Sequence, residues 1–306
     1  MLPLTISLGS RLMPFYEGLY FMISFLVAGI WAARRWRRAG LPDRALETFF
    51  LLVALGAILG ARLSHFIFWN PGVLLGDPLE FFRFWQGGLS VSGGIAFGAL
   101  GGYLASRIAK VDFPTVAAAT APAVLLGQAV GRIGCFLNGD AFGAPSSLPW
   151  AVAFPRYALR LPSFRTDRSL SSFAWEWCSE RGLVGPESAF SLPMHPTQLY
   201  EAALDLILLG LILLLQRKKP GAQGGRLSLL GLLGGYSVIR FSLEFLRADH
   251  DGTALLGMTV FQLVLLATAL ACAALAFLPG KAAPAPAKAS GKPAAQGKGK
   301  AKGRRR

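Results

Sequence analysis

The sequence is short of charge. Only 15% of its 306 residues are Asp, Glu, Lys or Arg, whereas a soluble domain carries about 25%. Acids are the scarcer sign, with 16 Asp and Glu against 31 Lys and Arg. Cysteine is scarce as well. Cys135, Cys178 and Cys272 form an odd, scattered set, which is no disulfide framework and has no metal-ligand spacing. The three histidines, His65, His195 and His250, make neither HxxxH nor HExxH, so neither a metal enzyme nor a cofactor is expected. The N-terminus has no basic start and no A-x-A site, so no removable signal peptide is expected and the first apolar stretch is read as a retained helix.

What is abundant is apolar surface: 53% of residues are hydrophobic and the mean hydropathy is positive. A bilayer core is crossed by about 20 apolar residues in a helix. Candidate spans fall at roughly 15–33, 46–69, 87–108, 113–137, 197–215, 226–246 and 257–278. Lys and Arg concentrate in 34–45, 107–112, 216–226 and the tail from 281, together 20 of the 31. All four segments fall on one side of a seven-span arrangement, and that side is the cytoplasmic one. The expected fold is therefore an all-α polytopic membrane protein with seven transmembrane helices, its N-terminus outside and its C-terminus cytoplasmic. Residues 1–278 form the membrane domain, with an outer loop at 138–196. The stretch 279–306, made mostly of Lys, Ala, Pro and Gly, is expected to be a disordered basic cytoplasmic tail. Glycines four apart (Gly56 and Gly60; Gly94, Gly98 and Gly102; Gly127 and Gly131) are read as helix-packing faces.

Ionisable groups inside a span cost about 2.5–3.5 kcal/mol each on insertion scales, and they persist where they have a partner or a task. Arg62, Arg132, Arg240 and Glu244 are such groups. In the seven-span arrangement the three arginines all fall in the outward half of the bilayer. Arg240, Glu244 and Arg247 are spaced to share one helix face, with Glu244 placed to orient an arginine. Several guanidinium groups around one carboxylate leave a positive, partly dry pocket. An arginine there binds phosphate through a planar fork of donors. The expectation is a site for an anionic headgroup at the outer face.

Two stretches border this site. Gly131-Arg132-Ile133-Gly134-Cys135-Phe136-Leu137-Asn138-Gly139-Asp140 crosses from span four to the outer loop, and its glycines suggest irregular backbone at membrane depth. His195-Pro196-Thr197-Gln198-Leu199-Tyr200-Glu201 opens span five, where Thr197 suits a helix cap and Glu201 a first turn.

These motifs resemble the prolipoprotein diacylglyceryl transferase family. The first is similar to its G-R-[IL]-G-x-F-x-N-G and the second to its H-P-[ST]-Q-L-Y-E. Gly235-Tyr236, Arg240, Glu244-Phe245 and Arg247 resemble G-Y-x-x-x-R-x-x-x-E-F-x-R. Asp77-Pro78, Phe82-Arg83, Trp85, Gly87-Gly88, Ser90 and Gly93-Gly94 resemble the D-P loop and W-x-G-G-[LM]-S-x-x-G-G. The motifs run in order over roughly residues 17–249. The resemblance implies an enzyme that moves the diacylglyceryl group of phosphatidylglycerol to the lipobox Cys thiol of a preprolipoprotein, with glycerol phosphate leaving. It implies the bacterial cytoplasmic (inner) membrane, with the site towards the periplasm. The implied partners are phosphatidylglycerol, preprolipoprotein lipobox peptides and membrane lipid, with no nucleic acid. By the same resemblance, Arg132 and Arg240 hold the phosphoglycerol headgroup and Glu244 orients Arg240. Asn138, Asp140 and Gly143 shape the pocket, while Gly88, Gly93 and Gly94 let lipid or peptide approach the backbone. Arg62, His195 and Arg247 border the substrate.

The chain departs from the family pattern at four points. Ser92 stands where His or Tyr is usual, and a serine hydroxyl is no base near neutral pH. Glu17 replaces the Tyr before Gly18-Leu19, Cys135 the usual Asn, and Asp140 the usual Glu. Glu17 and Asp140 are candidate replacement bases, and Arg62 is a candidate partner for Glu17. Alternatively, the arginines alone activate the substrate thiol. A non-catalytic paralogue that binds phosphatidylglycerol or lipoprotein precursors is the other reading. A transporter is a distant third.

Overall fold

The computed structural model describes residues 7–8, 11–12, 16–69, 72, 76–82, 91–156, 172–248 and 257–278. The basic tail, Trp85, Gly88 and Ser90 lie outside these residues, as do the side chains of Glu17, Ser92 and Asn138.

Helices dominate. In chain order they are α1 (Tyr16–Arg38), α2 (Asp43–Trp69), α3 (Val91–Ile108), α4 (Phe113–Asn138), α5 (Phe173–Glu180), α6 (Thr197–Lys218), α7 (Ala222–Leu230), α8 (Tyr236–Glu244) and α9 (Val260–Phe277). A 3-10 turn, Pro78–Phe82, follows α2, and a π-helical turn, Gly231–Gly235, joins α7 to α8. Two small antiparallel pairs complete the described elements: β1 (Ser7–Leu8) with β2 (Arg11–Leu12), and β3 (Val152–Pro155) with β4 (Phe190–Met194).

Four helical stretches are long and apolar enough to cross a membrane: Asp43–Ile67, Phe113–Leu137, Thr197–Lys218 and Val260–Phe277. Across the long helices and α8, burial is inverted relative to a soluble bundle. Phe25, Leu55, Leu211 and Leu270 are exposed, while Arg62, Glu201, Asp205, Arg240 and Glu244 are buried. Ionisable groups of membrane helices face the bundle interior because hydrocarbon cannot solvate them.

Small residues set the helix pairs, as the fourfold glycine spacing predicts. At Gly56 an added Cβ would strike the Phe97 carbonyl oxygen, and at Gly101 the Leu52 carbonyl oxygen, so α2 and α3 touch backbone to backbone. Gly127 packs the same way on Ser24 and Ala28 of α1.

Proline shapes α4. Pro122 has no N–H, which leaves the carbonyl of Ala118 without its helical donor. Two side chains supply the missing donors. Arg35 Nη2 and Gln216 Nε2 both donate to Ala118 O at 2.9 Å, and Gln216 Nε2 also donates to Ser228 Oγ at 2.8 Å. One deleted backbone bond thereby ties α1, α4, α6 and α7 together.

The described residues between α4 and α6 form a small lobe. Phe142, Phe154, Ala174, Cys178 and Met194 form its core. Trp175 is buried in it and donates from Nε1 to Ser188 O at 2.9 Å, with Arg156 stacked 5.0 Å from its ring. Arg181 sits 4.3 Å from the ring of Trp177. These tryptophans hold the lobe together.

Candidate active site

The end of α4 begins the site. The helix stops at Gly139, whose φ of 74° is left-handed and whose N–H donates to Cys135 O. An L side chain resists that conformation, and here a Cβ would also meet Ser172 at 2.9 Å. The backbone stays helical through Arg132, Gly134 and Cys135, so the irregular backbone expected at Gly131 and Gly134 is absent. Those glycines serve packing instead: Gly131 faces Ser24, and a Cβ at Gly134 would meet Tyr20 at 2.5 Å.

From Gly139 a strap staples three helix ends together. Gln198 Nε2 donates to Asp140 O at 2.5 Å and Thr197 Oγ1 to Ala141 O at 2.7 Å. Gly143 N donates to His195 O at 3.0 Å, and Ala144 N to Leu246 O at 2.7 Å. Gly143 has no room for a side chain, since a Cβ would lie 2.6 Å from His195 Cβ and 2.8 Å from Leu246 O. The start of α6 and the end of α8 are thus held beside the end of α4. Thr197 is spent on this strap and does not cap α6: Pro196 occupies the cap position, with no side-chain bond.

Arg132 meets this junction from α4. Its Nη2 lies 2.8 Å from Glu201 Oε1 of α6, and the Tyr236 hydroxyl of α8 donates to the same Glu201 oxygen at 3.2 Å. Glu201 is therefore the counter-ion of Arg132, which corrects its expected part in the helix's first turn. Arg240 Nη1 pairs with Glu244 Oε2 at 2.8 Å, as the spacing predicts, and stacks 5.6 Å from Phe261. Arg240, Glu244 and Glu201 are all almost fully buried. Arg247 lies beyond the end of α8, in an extended bridge opposite Gly143, so it does not continue the helical face of Arg240 and Glu244. Cys135 Sγ is 4.0 Å from Arg132 Nη1 and also interacts with Asp140. His195 Nδ1 is 3.4 Å from the Tyr200 hydroxyl, which accepts a 2.7 Å bond from Trp150 Nε1.

Other expected residues lie elsewhere. Arg62 donates from Nε to Phe81 O at 3.0 Å and from Nη2 to Glu80 O at 2.6 Å, and stacks 4.8 Å from Phe66. It anchors the turn after α2. Gly93 packs against Gly60 and Ser64, and Gly94 against Ala57 and Ala61, so the backbone approaching them is that of α2. Gly88 and the side chains of Ser92, Asn138 and Glu17 fall outside the described residues.

Sequence reasoning overlooked Asp205, which is 0% exposed, and did not place Tyr236 or Gln198 in the site. An acid in a leucine-rich span was the available signal for Asp205, by the same cost argument that singled out Arg132. The pairing of Glu201 with Arg132 had no such signal, because it joins two helices far apart in sequence.

The paired Arg132 and Arg240 give two guanidinium groups, the first part-buried and the second buried, each oriented by its own carboxylate. Such groups suit a phosphate ester that gains charge as a bond breaks.

Comparison with known proteins agrees with this chemistry. The family model described as prolipoprotein diacylglyceryl transferase matches residues 3–278. A phosphatidylglycerol–prolipoprotein diacylglyceryl transferase of Bordetella avium is 31% identical over 265 residues, covering 85% of this chain and 88% of its own. The protein of that name from Neisseria gonorrhoeae is 33% identical, covering 85% and 89%, and the one from Methylococcus capsulatus is 32% identical, covering 80% and 81%. With a family match over nearly its whole length and relatives above 30% identity along most of both chains, the protein belongs to the prolipoprotein diacylglyceryl transferase family.

Proposed function

We propose that this chain transfers the diacylglyceryl group of phosphatidylglycerol to the lipobox cysteine of preprolipoproteins, the first step of bacterial lipoprotein maturation. The observation that carries the reading is the pair of arginines, part-buried Arg132 and buried Arg240, each held at 2.8 Å by its own carboxylate beside one strapped junction. Family membership and the names of the relatives support it.

In this reading Arg132 and Arg240 hold the phosphoglycerol headgroup. Glu244 fixes the Arg240 fork, and Gly143 keeps the strap close to α6 and α8. The thiol attacks the glyceryl carbon that bears the phosphate, a thioether forms, and glycerol phosphate leaves against the arginines. Asn138, Asp140, His195 and Arg247 border the headgroup or the peptide, and the lobe above them meets the lipobox segment. Helices α1, α3 and the α7–α8 run are read as further spans, making seven, in the bacterial inner membrane. The basic segments then lie in the cytoplasm and the strapped junction faces the periplasm.

The test uses purified protein in proteoliposomes with phosphatidylglycerol and a lipobox peptide. Mass spectrometry should find a diacylglyceryl adduct on the peptide cysteine, and Arg132→Ala should abolish it. Folded protein that binds phosphatidylglycerol yet forms no adduct would identify a non-catalytic paralogue.

A further inference from the structure

The transfer needs somewhere to put the thiol proton. Ser92 stands where the family pattern has His or Tyr, and a serine hydroxyl is no base near neutral pH, so a protein base for this step is some other group. Glu201 and Asp205 are one helical turn apart on α6 and share its buried face. Glu201 is 3% exposed and Asp205 0%. Glu201 has a cation, Arg132, at 2.8 Å, and a donor, Tyr236, at 3.2 Å. Among the described residues Asp205 has neither at bonding distance, since both of its carboxylate oxygens are buried without a hydrogen-bond partner. It lies about 12 Å along α6 from Thr197, at 1.5 Å per residue, beneath the Arg132 level of the site.

The charged and titratable groups facing this pair come from three helices. They are Arg132 of α4, Tyr236 and Arg240 of α8, and the two carboxyls themselves on α6. Arg132 neutralises one negative charge of the pair. A second carboxylate would be an uncompensated charge in a dry space, next to a like charge. Two carboxylates so placed repel each other when both are charged. A buried acid without a partner is expensive to keep in a membrane helix, and packing alone would be served by Leu or Asn.

We propose that the Glu201–Asp205 pair is the proton acceptor of the transfer, with Glu201 taking the thiol proton and Asp205 acting as the positioning residue that makes the pair receptive. This rests on the transferase reading above. The S–H bond breaks and its proton goes to Glu201, directly or through one water. The sulfur electron pair forms the bond to the glyceryl carbon. The bond from that carbon to the phosphate oxygen breaks, and its electrons leave with glycerol phosphate. The phosphodiester enters with one negative charge and leaves as a monoester with two. Protonating Glu201 releases Arg132 from its ion pair at the moment the leaving phosphate needs a second cation, so Arg132 changes partner as the bond breaks.

The test is the rate of adduct formation against pH in phosphatidylglycerol vesicles, for wild type, Glu201→Gln, Asp205→Asn and Asp205→Ala. Thermal melts and phosphatidylglycerol affinity are recorded for each. Glu201→Gln should lose roughly 100-fold in rate. Asp205→Asn keeps the shape but cannot ionise or repel Glu201. It should fold, bind phosphatidylglycerol as wild type does, lose rate, and move the midpoint of the pH–rate profile toward acid. An Asp205→Asn protein with the wild-type rate and profile overturns the inference. So does a loss shared equally by Asp205→Asn and Asp205→Ala with no change in profile, which would mark Asp205 as a packing residue. If Glu201→Gln fails to fold, the Asp205→Asn profile decides. A wild-type protein that forms no adduct at any pH overturns the transferase reading itself, and this inference with it.

Discussion

Arg132 of α4 and Glu201 of α6 face each other at 2.8 Å, almost fully removed from solvent on the acid's side. Neither is stable there alone. Removing one partner of a buried ion pair strands the other and costs about 3–5 kcal/mol. The pair therefore does two things: it fastens α4 to α6, and it holds a guanidinium fork in place before any phosphate arrives.

Replacing Arg132 by Lys separates charge from geometry. A lysine keeps the positive charge but loses the planar fork that serves Glu201 and a phosphate at once. Arg132→Lys should retain phosphatidylglycerol binding within about tenfold while the transfer rate falls by roughly 100-fold, a drop of about 2.7 kcal/mol in transition-state stabilisation. Initial rates against phosphatidylglycerol content in mixed vesicles check this. Equal losses in binding and rate would assign Arg132 to ground-state binding only.

Two glycines separate strap geometry from helix packing. A methyl at Gly143 would press on His195, Thr197 and the Leu246 carbonyl, whereas at Gly94 it would make ordinary contacts of 3.4 and 3.5 Å with Ala57 and Ala61. Gly143→Ala should lose most activity and about 1–3 kcal/mol of stability. Gly94→Ala should keep both. Adduct assays and thermal melts in detergent decide, and a dead but stable Gly94→Ala would mean that a substrate approaches that glycine after all.

The junction around Pro122 predicts a purely structural effect. Gln216 donates to Ala118 O and Ser228 Oγ, so Gln216→Leu leaves a part-buried carbonyl with Arg35 as its donor among the described residues and breaks the tie to α7. The expected cost is about 1–3 kcal/mol, with turnover per folded molecule unchanged. Coupling it with Pro122→Ala, which restores the helical N–H, should recover part of the loss. A double variant no better than Gln216→Leu would show that the freed carbonyl is not what Gln216 serves.

The cysteines should differ in reactivity. Cys178 is fully buried in the lobe, and burial pushes its thiol above the ordinary range, which reduces its thiolate fraction at neutral pH. Cys135 is partly exposed beside Arg132. Brief maleimide treatment near neutral pH should label Cys135 first and leave Cys178 unmodified until the lobe unfolds. Raising the pH through the alkaline range should bring up Cys178 labelling only slowly, because access remains blocked. Peptide mapping reads both, and early labelling of Cys178 would mean that the lobe opens readily.

Much of this protein was legible in its residues. Apolar runs at 46–69, 113–137, 197–215 and 257–278 foretold the stretches Asp43–Ile67, Phe113–Leu137, Thr197–Lys218 and Val260–Phe277, which are long and apolar enough to cross a membrane, since hydrocarbon admits helices of about that length and little else. Glycine spacing foretold the faces on which α2 meets α3 and α1 meets α4. Motif order pointed to the family, and the i, i+4 spacing pointed to the Arg240–Glu244 pair, because both are local patterns along the chain.

Partner choice between helices was decided only in three dimensions. Nothing local told Glu201 to leave the helix start and serve Arg132, or Arg62 to turn to the carbonyls of residues 80 and 81, or Thr197 to bond the strap instead of capping α6. A buried charge must take whatever opposite charge or donor the packed helices bring within reach. That depends on the crossing of whole helices, set by Gly127 against Ser24, by Pro122 opening its carbonyl to Arg35 and Gln216, and by Gly143 drawing three helix ends to one point.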